Sequence, residues 1–265
     1  MSKILITGAG SGLGKASSIA LAKKGHKVYA TTHKKSQAEN LKEIALKENI
    51  SKNIESFKLD ITLKEDRDIV KNLDIDALIN NAAIGDSGSA SEVSIDKYRN
   101  VFETNVFSAL ELTQIVFNNM IKKKEGRIIF LSSLSGRITI PFLSPYTSSK
   151  FALEAIVSSL KEEIKELSDC NINIILIEPG AYKTGFNQRN IDKQFVWMKE
   201  QSYFRDKLVK LKKKQYSYFE LMEHKSFDSI VSQYINAIED ESPKFRYKAP
   251  LVQSAFTQGQ RILGK

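Results

Sequence analysis

Tyr146 and Lys150 stand four residues apart in a stretch of helical apolar periodicity, so their side chains share one face. A free phenol titrates near ~10, too high to exchange protons readily at neutral pH. An ammonium one helical turn away favours the phenolate and lowers that value, which makes the pair a usable acid–base group. Ser133 ends an apolar run ahead of Tyr146, and its hydroxyl can hydrogen-bond a substrate oxygen. Asn105 sits mid-helix in Thr104-Asn105-Val106, and Asn80-Asn81-Ala82-Ala83 closes another apolar run with small residues that admit a ligand.

A second constellation binds rather than reacts. Ile4-Leu5-Ile6 runs into Thr7-Gly8-Ala9-Gly10-Ser11-Gly12-Leu13-Gly14, and a helix begins directly afterward. Glycine permits the tight backbone and removes side chains that would hold a pyrophosphate away from free N–H groups at the helix start. A glycine triplet alone is a weak signal, and an ordinary strand-to-helix turn is the simpler alternative; the strand in front and helix behind strengthen the ligand-binding reading. A nucleotide-hydrolase loop does not fit, because Lys15 is followed by Ala16 rather than Ser or Thr and Gly10 lies one residue too close to Gly14. At the end of the second strand an acidic residue would bind a ribose 2′-hydroxyl. The chain instead reads Thr32-His33-Lys34-Lys35, a basic turn able to neutralise a 2′-phosphate or simply to be solvated. Asp60 and Ile61 follow the third strand; Asp60 could face an adenine ring or cap a helix.

These groups need elements to hold them. Short apolar runs at 3–7, 27–32, 54–59, 77–80, 127–132 and 173–177 alternate with amphipathic stretches at 13–24, 37–48, 64–72, 94–109, 110–123 and 145–167. That alternation predicts an α/β fold, a doubly wound and mostly parallel sheet with helices on both faces. Ligands collect at the carboxyl ends of such strands, where strands one, four, five and six each deliver a candidate group. Pro179-Gly180 follows the sixth strand, with Thr184 close behind. Residues 187–225 are rich in aromatics and lysines and read as a helical insertion, followed by a helix at about 227–239, Pro243 and a short apolar segment to the C-terminus.

In order and spacing, Thr7 to Gly14, Asn80 to Ala83, Asn105, Ser133, Tyr146 to Lys150, and Pro179-Gly180 with Thr184 resemble the classical short-chain dehydrogenases/reductases over essentially the whole chain. Finer features, Gly136 to Phe142, Ser149 to Glu154 and Pro243 to Tyr247, look like the hydroxysteroid and retinol dehydrogenase branch. The resemblance implies one Rossmann domain over 1–265 with about seven strands in the order 3-2-1-4-5-6-7, and a substrate lid at about 185–225. It implies that Tyr146 exchanges the proton, Lys150 tunes it and holds the nicotinamide ribose, Ser133 polarises the carbonyl, and Asn105 holds a relay water. Gly8, Ser11, Gly12, Leu13 and Gly14 would surround the pyrophosphate; Thr32, His33, Lys34, Asp60, Ile61, Asn81, Ala82 and Ala83 the adenosine half; Pro179, Gly180 and Thr184 the carboxamide. NADP(H) is the expected cofactor and NAD(H) the alternative; members often carry arginine where His33 stands. The substrate would be a fairly apolar carbonyl or alcohol. A homodimer or homotetramer would form through the helices at about 94–123 and 145–167.

Composition bounds the rest. A net charge of +9 favours anionic partners, and Lys207 to Lys214 could bind nucleic acid or a membrane surface, but the run carries no nucleic-acid motif and reads first as an ordinary exposed helix, so no nucleic-acid partner is expected. The lone Cys170 forbids an internal disulfide, and the apolar run ahead of the first glycine is only four residues, Ile4 to Thr7, too short for a secretory leader; both point to a cytoplasmic protein without a membrane span. His26 and His224 lack ligand-spaced partners, so no metal is expected. The competing function is a catalytically silent, cofactor-sensing regulator on the same fold; retention of Ser133, Tyr146, Lys150 and Asn105 together argues against it.

Overall fold

The computed structural model describes residues 1–263. Seven parallel strands form one sheet: β1 (Lys3–Ile6), β2 (Lys27–Thr32), β3 (Ile54–Lys58), β4 (Ala77–Asn80), β5 (Glu125–Leu131), β6 (Asn171–Pro179) and β7 (Arg246–Ala249), in the order β3-β2-β1-β4-β5-β6-β7. The expected strand order is therefore the observed one. Successive side chains on a strand point to opposite faces, and the two cores follow that alternation. Ile4, Ile6, Ile79, Ile129, Ile175 and Ile177 pack on one face against α1 (Gly12–Lys23), α2 (Lys35–Lys47) and α9 (Asp228–Glu239). Leu5, Leu78, Ile128, Phe130, Ile174 and Leu176 pack on the other against α5 (Ser108–Lys123) and α6 (Ser144–Ile164). A sheet covered on both faces must be apolar on both, which is why its central strands read as continuous apolar runs. A short α3 (Lys64–Ile69) completes the first half.

The region expected as two helices, 94–109 and 110–123, is one helical run. α4 (Ile95–Phe102) passes through a π turn at Glu103–Phe107 directly into α5. Apolar periodicity does not reveal a π turn, because inserting one residue shifts the pattern without interrupting it. The insertion after β6 is helical, as expected, and resolves into α7 (Phe186–Gln201) and α8 (Leu208–Met222) around a third, smaller apolar cluster that includes Ile191, Phe195, Met198 and Phe219. The C-terminal apolar segment is a full helix, α10 (Leu251–Ile262). Among the described residues no helix is long and apolar enough to cross a membrane, and no group of acidic, His or Cys side chains could hold a metal.

Candidate active site

The carboxyl edge of the sheet opens into a cavity of about 840 Å³. Its walls include Gly8, Ser11, Gly12, Leu13 and Gly14 from the first turn, Thr32 and His33 after β2, Asp60 and Ile61 after β3, Asn81, Ala82 and Ala83 after β4, Ser133 after β5, Tyr146 and Lys150 on α6, and Pro179, Gly180 and Thr184 after β6. The groups expected to meet do so, with two exceptions. Lys34 does not line the cavity; it is the exposed residue preceding α2, and its carbonyl accepts a 2.8 Å hydrogen bond from the Thr32 hydroxyl. Asn105 is also outside the lining.

The glycine turn is shaped for close approach. Gly8 has φ +68° and a Cβ there would lie 2.8 Å from Ala82 Cα, so only glycine lets the first and fourth strand ends meet. At Gly12, φ is +54° and a Cβ would lie 3.2 Å from the Thr184 methyl. Ser11 precedes α1 without a side-chain cap, and no acidic residue occupies that helix's first turn. The N–H groups and dipole there are thus left for an anion.

Thr7 is the hub that fixes this turn, and sequence reading took it only as the first letter of a motif. Its hydroxyl accepts from the N–H groups of Asn81 and Ala82, each at 3.0 Å. The Asn81 amide donates 2.7 Å to Thr7 O and 3.2 Å to Gly8 O, while its oxygen accepts 2.8 Å from the fully buried Tyr234 hydroxyl. Asn81, expected to touch adenosine, instead spends its polar atoms on the scaffold and offers the cavity only its flank. Asp60 uses one carboxylate oxygen, Oδ1, on the scaffold, accepting from the Thr62 N–H and hydroxyl at 3.0 and 2.7 Å, and Leu63 rather than Asp60 stands at the N-cap of α3.

The reacting floor is buried. Lys150 is 2% exposed, and its amine donates 2.7 Å to Leu131 O. Burial pulls its pKa down to about 8, opposed by the Glu154 carboxylate on the same helix. Burial pushes the Tyr146 phenol up to about 12, opposed by a hydrogen bond with Ser133. The lowering of the phenol by the ammonium, anticipated from spacing, does not set its pKa: the amine sits 5.7 Å from the Tyr146 ring centre, and desolvation is the larger effect. The Ser133 hydroxyl also lies 3.5 Å from Pro179 O, and it accepts 3.1 Å from Ser135 N.

Asn105 occupies the π turn and is 2% exposed. Its oxygen accepts 2.8 Å from Ile84 N, and its amide donates 2.9 Å to Ile84 O and 3.0 Å to the Ser149 hydroxyl. Those bonds use both amide hydrogens and pin the Ile84 backbone to α6 beside Tyr146.

The roof comes from the insertion. Phe186 lies 5.4 Å from Tyr146 ring to ring, and Tyr218, Phe219 and Met222 of α8 close the outer wall with Phe256 of α10. Ile138, Ile140 and Leu143 complete an apolar side opposite the glycine turn. Lys207 precedes α8, and Leu208 to Lys214 forms its start with exposed lysines and a buried Leu208, an amphipathic helix. Gln37, which carries no motif in the sequence, also lines the cavity, close to where a Gly10 side chain would stand.

Comparison with known proteins places this geometry. The family model for short chain dehydrogenase matches residues 2–194. The chain is 37% identical over 185 residues to an uncharacterised oxidoreductase of Bacillus subtilis, a match covering 68% of this chain and 65% of the relative, just under two thirds of its length. A short-chain dehydrogenase/reductase of Burkholderia phymatum, solved with NAD, superposes with a TM-score of 0.81 at 17% identity over 97% of this chain and 92% of that one. A short-chain dehydrogenase of Sphingobium yanoikuyae, solved with NADPH, gives 0.73 at 19% identity over 99% and 95%. At such identities the two structures show the shared fold.

Proposed function

The chain belongs to the short-chain dehydrogenase family, and on that premise we propose that it is an NADP(H)-dependent oxidoreductase that interconverts an apolar carbonyl compound and its alcohol. The observation that carries the reading is the convergence of Ser133, Tyr146 and Lys150 on one cavity wall facing a glycine turn shaped for a pyrophosphate. The residues fit a nicotinamide dinucleotide: side chains are missing at Gly8 and Gly12 where it would pass, and the first turn of α1 is free of acidic groups. Gly8, Ser11, Gly12, Leu13 and Gly14 would hold its phosphates, Asp60 and Ile61 its adenine side, and Pro179, Gly180, Thr184 and Lys150 its nicotinamide half. When bound, that cofactor supplies or accepts the hydride.

The protein's part is the proton. With its pKa near 12, Tyr146 carries its hydrogen at neutral pH and can give it to a carbonyl oxygen as that oxygen gains electrons. The Ser133 hydroxyl donates to the same oxygen from the neighbouring side, so developing negative charge meets two preorganised donors in a water-poor site. In the oxidising direction the phenol must lose its proton first, and the Lys150 charge favours that step once the amine turns from Leu131 O toward the ring. Replacing Tyr146 with Phe keeps the packing and removes the proton. Turnover should fall by roughly 10²- to 10⁴-fold while cofactor affinity stays nearly constant. A Tyr146→Phe enzyme turning over at the parent rate would refute the assignment.

The phosphorylated cofactor is favoured by the missing carboxylate after β2 and by His33 in the cavity wall. Fluorescence titration should find NADPH bound more tightly than NADH, and His33→Ala should narrow that gap more than Lys34→Ala, whose side chain lies off the wall. Equal affinities in the parent protein would reject the preference. The apolar wall of Ile138, Ile140, Leu143, Phe186 and Met222 supports a substrate with a hydrocarbon body rather than a charged one.

A further inference from the structure

Helix α10 is built inside out. Its inward residues are polar: Gln253 and Thr257 are buried, and Gln253 ties the helix down through a 2.9 Å bond from Ala181 N and a 2.6 Å bond to Met222 O. Its outward face is apolar. Leu251, Val252 and Ile262 are 78%, 81% and 77% exposed, with Ala255 and Phe256 between them on the same side. A helix whose solvent face is its apolar face is not explained by the packing of this chain, and exposed patches of this kind mark a contact surface.

Two neighbouring features say what covers it. First, Leu221, 84% exposed, stands beside the Met222–Gln253 contact at the end of α8, and the same face of α8 carries Lys210, Lys214 and Ser217, all exposed and spaced by four, three and four residues to Leu221. Lys213 flanks that stripe, and Glu220 is the acidic residue of the helix. Second, Phe256 belongs to both surfaces: it lines the substrate cavity and is 57% exposed. The apolar patch thus reaches the cavity mouth, and the basic stripe of α8 ends at Leu221, where α8 meets α10 through the Gln253 bond to Met222 O.

We propose that the outer faces of α10 and α8 dock on an anionic lipid bilayer, with the mouth of the substrate cavity opening toward the acyl–headgroup boundary. Apolar residues beside a line of lysines match that boundary, where hydrocarbon lies just beneath negative charge. A second copy is the poorer occupant. In a two-fold contact the same patch faces itself and would bring the lysine stripes together, in a chain that already carries +9. Docking deepens the reading of an apolar substrate, since such a compound would pass from bilayer to Tyr146 along Phe256, Met222 and Tyr218 without crossing water. It rests on that reading only for catalysis, not for binding.

The experiment is vesicle flotation of the full chain, with phosphatidylcholine vesicles alone or containing about one third phosphatidylglycerol, in about 0.1 M and about 0.5 M salt. The parent protein should float with the anionic vesicles, weakly with neutral ones, and less at high salt. Leu251→Ser with Val252→Asp should lower the bound fraction roughly tenfold, and Lys210→Glu with Lys214→Glu should do the same. Both variants should keep the parent melting temperature and the parent turnover of a short water-soluble aldehyde, since none of the four residues lines the cavity. Absence of flotation with anionic vesicles, or flotation unchanged in both variants, overturns the proposal. So does conversion of a dimer to a monomer by Val252→Asp without a change in flotation, which would give the surface to a second copy. Salt-sensitive flotation in a protein that turns over no carbonyl would instead retain the docking surface and defeat the catalytic reading.

Discussion

The floor and the roof of the cavity are built on opposite terms. The floor, at the carboxyl edge of the sheet, consists of backbone turns and polar side chains that are nearly all tied to one another: Thr7 to Asn81 and Ala82, Asn81 to Tyr234, Asn105 to Ile84 and Ser149, Lys150 to Leu131. In the roof, α7 and α8 pack around one small apolar cluster and α10 is tied down by Gln253, while Leu221, Leu251 and Val252 are left to solvent. The floor presents polar groups fixed to one another by directional bonds, while the roof presents Phe186, Phe219 and Met222, apolar surface that encloses a body by non-directional contact. Changes in the floor should therefore cost stability and position together, and changes in the roof should alter substrate capture alone.

The sharpest test of that contrast is Asn81→Ala. It strands the Tyr234 hydroxyl in a core where that ring is fully buried, and removes the donor to the Thr7 and Gly8 carbonyls. Urea unfolding should show a loss of about 3 kcal/mol, with weaker cofactor binding. A loss no larger than that of a surface substitution would mean the floor is not held as described.

Lys150→Met should have an effect of similar size that appears only at some pH values. The folded-state pKa of this lysine, about 8, lies below its ordinary 10.5, so the unfolded chain holds more protons between those values and stability rises with pH across that window. Below pH 8 the full penalty for a buried charge, about 3 kcal/mol, is present. The methionine variant should lose that slope, so its advantage over the parent in urea unfolding should be largest at pH 7 and shrink toward pH 10, while turnover disappears. A parent protein with the same stability at pH 7 and 10 would contradict the buried-charge account.

The smallest effect belongs to the roof. Tyr218→Ala removes a cavity-lining ring that is itself 41% exposed. KM for an apolar substrate should rise several-fold, with stability changed by about 0.5 kcal/mol or less. A large stability loss here would erase the distinction between the two regions.

The meeting of the candidate site residues at one cavity was legible along the chain. Tyr146, Lys150, Ser133 and the glycine turn are local in sequence or lie at strand ends, and strand ends are visible because buried parallel strands are apolar runs. What escaped had non-local causes. Thr7 acts as a hub only because β4 passes beside β1, and Asn81 turns into scaffold only because α9 brings Tyr234 against it. Lys34 looked like a cofactor ligand by adjacency to His33, but the bend that opens α2 turns it away from the cavity.

The sequence by itself determined the alternation of strands and helices, the strand order by resemblance, and the placement of Tyr146 and Lys150 on one helix face, because residue period and helical spacing are properties of one element. Only the tertiary structure decided that Asn105 spends its amide on Ile84, that burial leaves the Tyr146 phenol protonated, and that α10 turns its apolar side outward. Those outcomes depend on which neighbour occupies each face, and a neighbour distant along the chain leaves no periodic trace in the segment it covers.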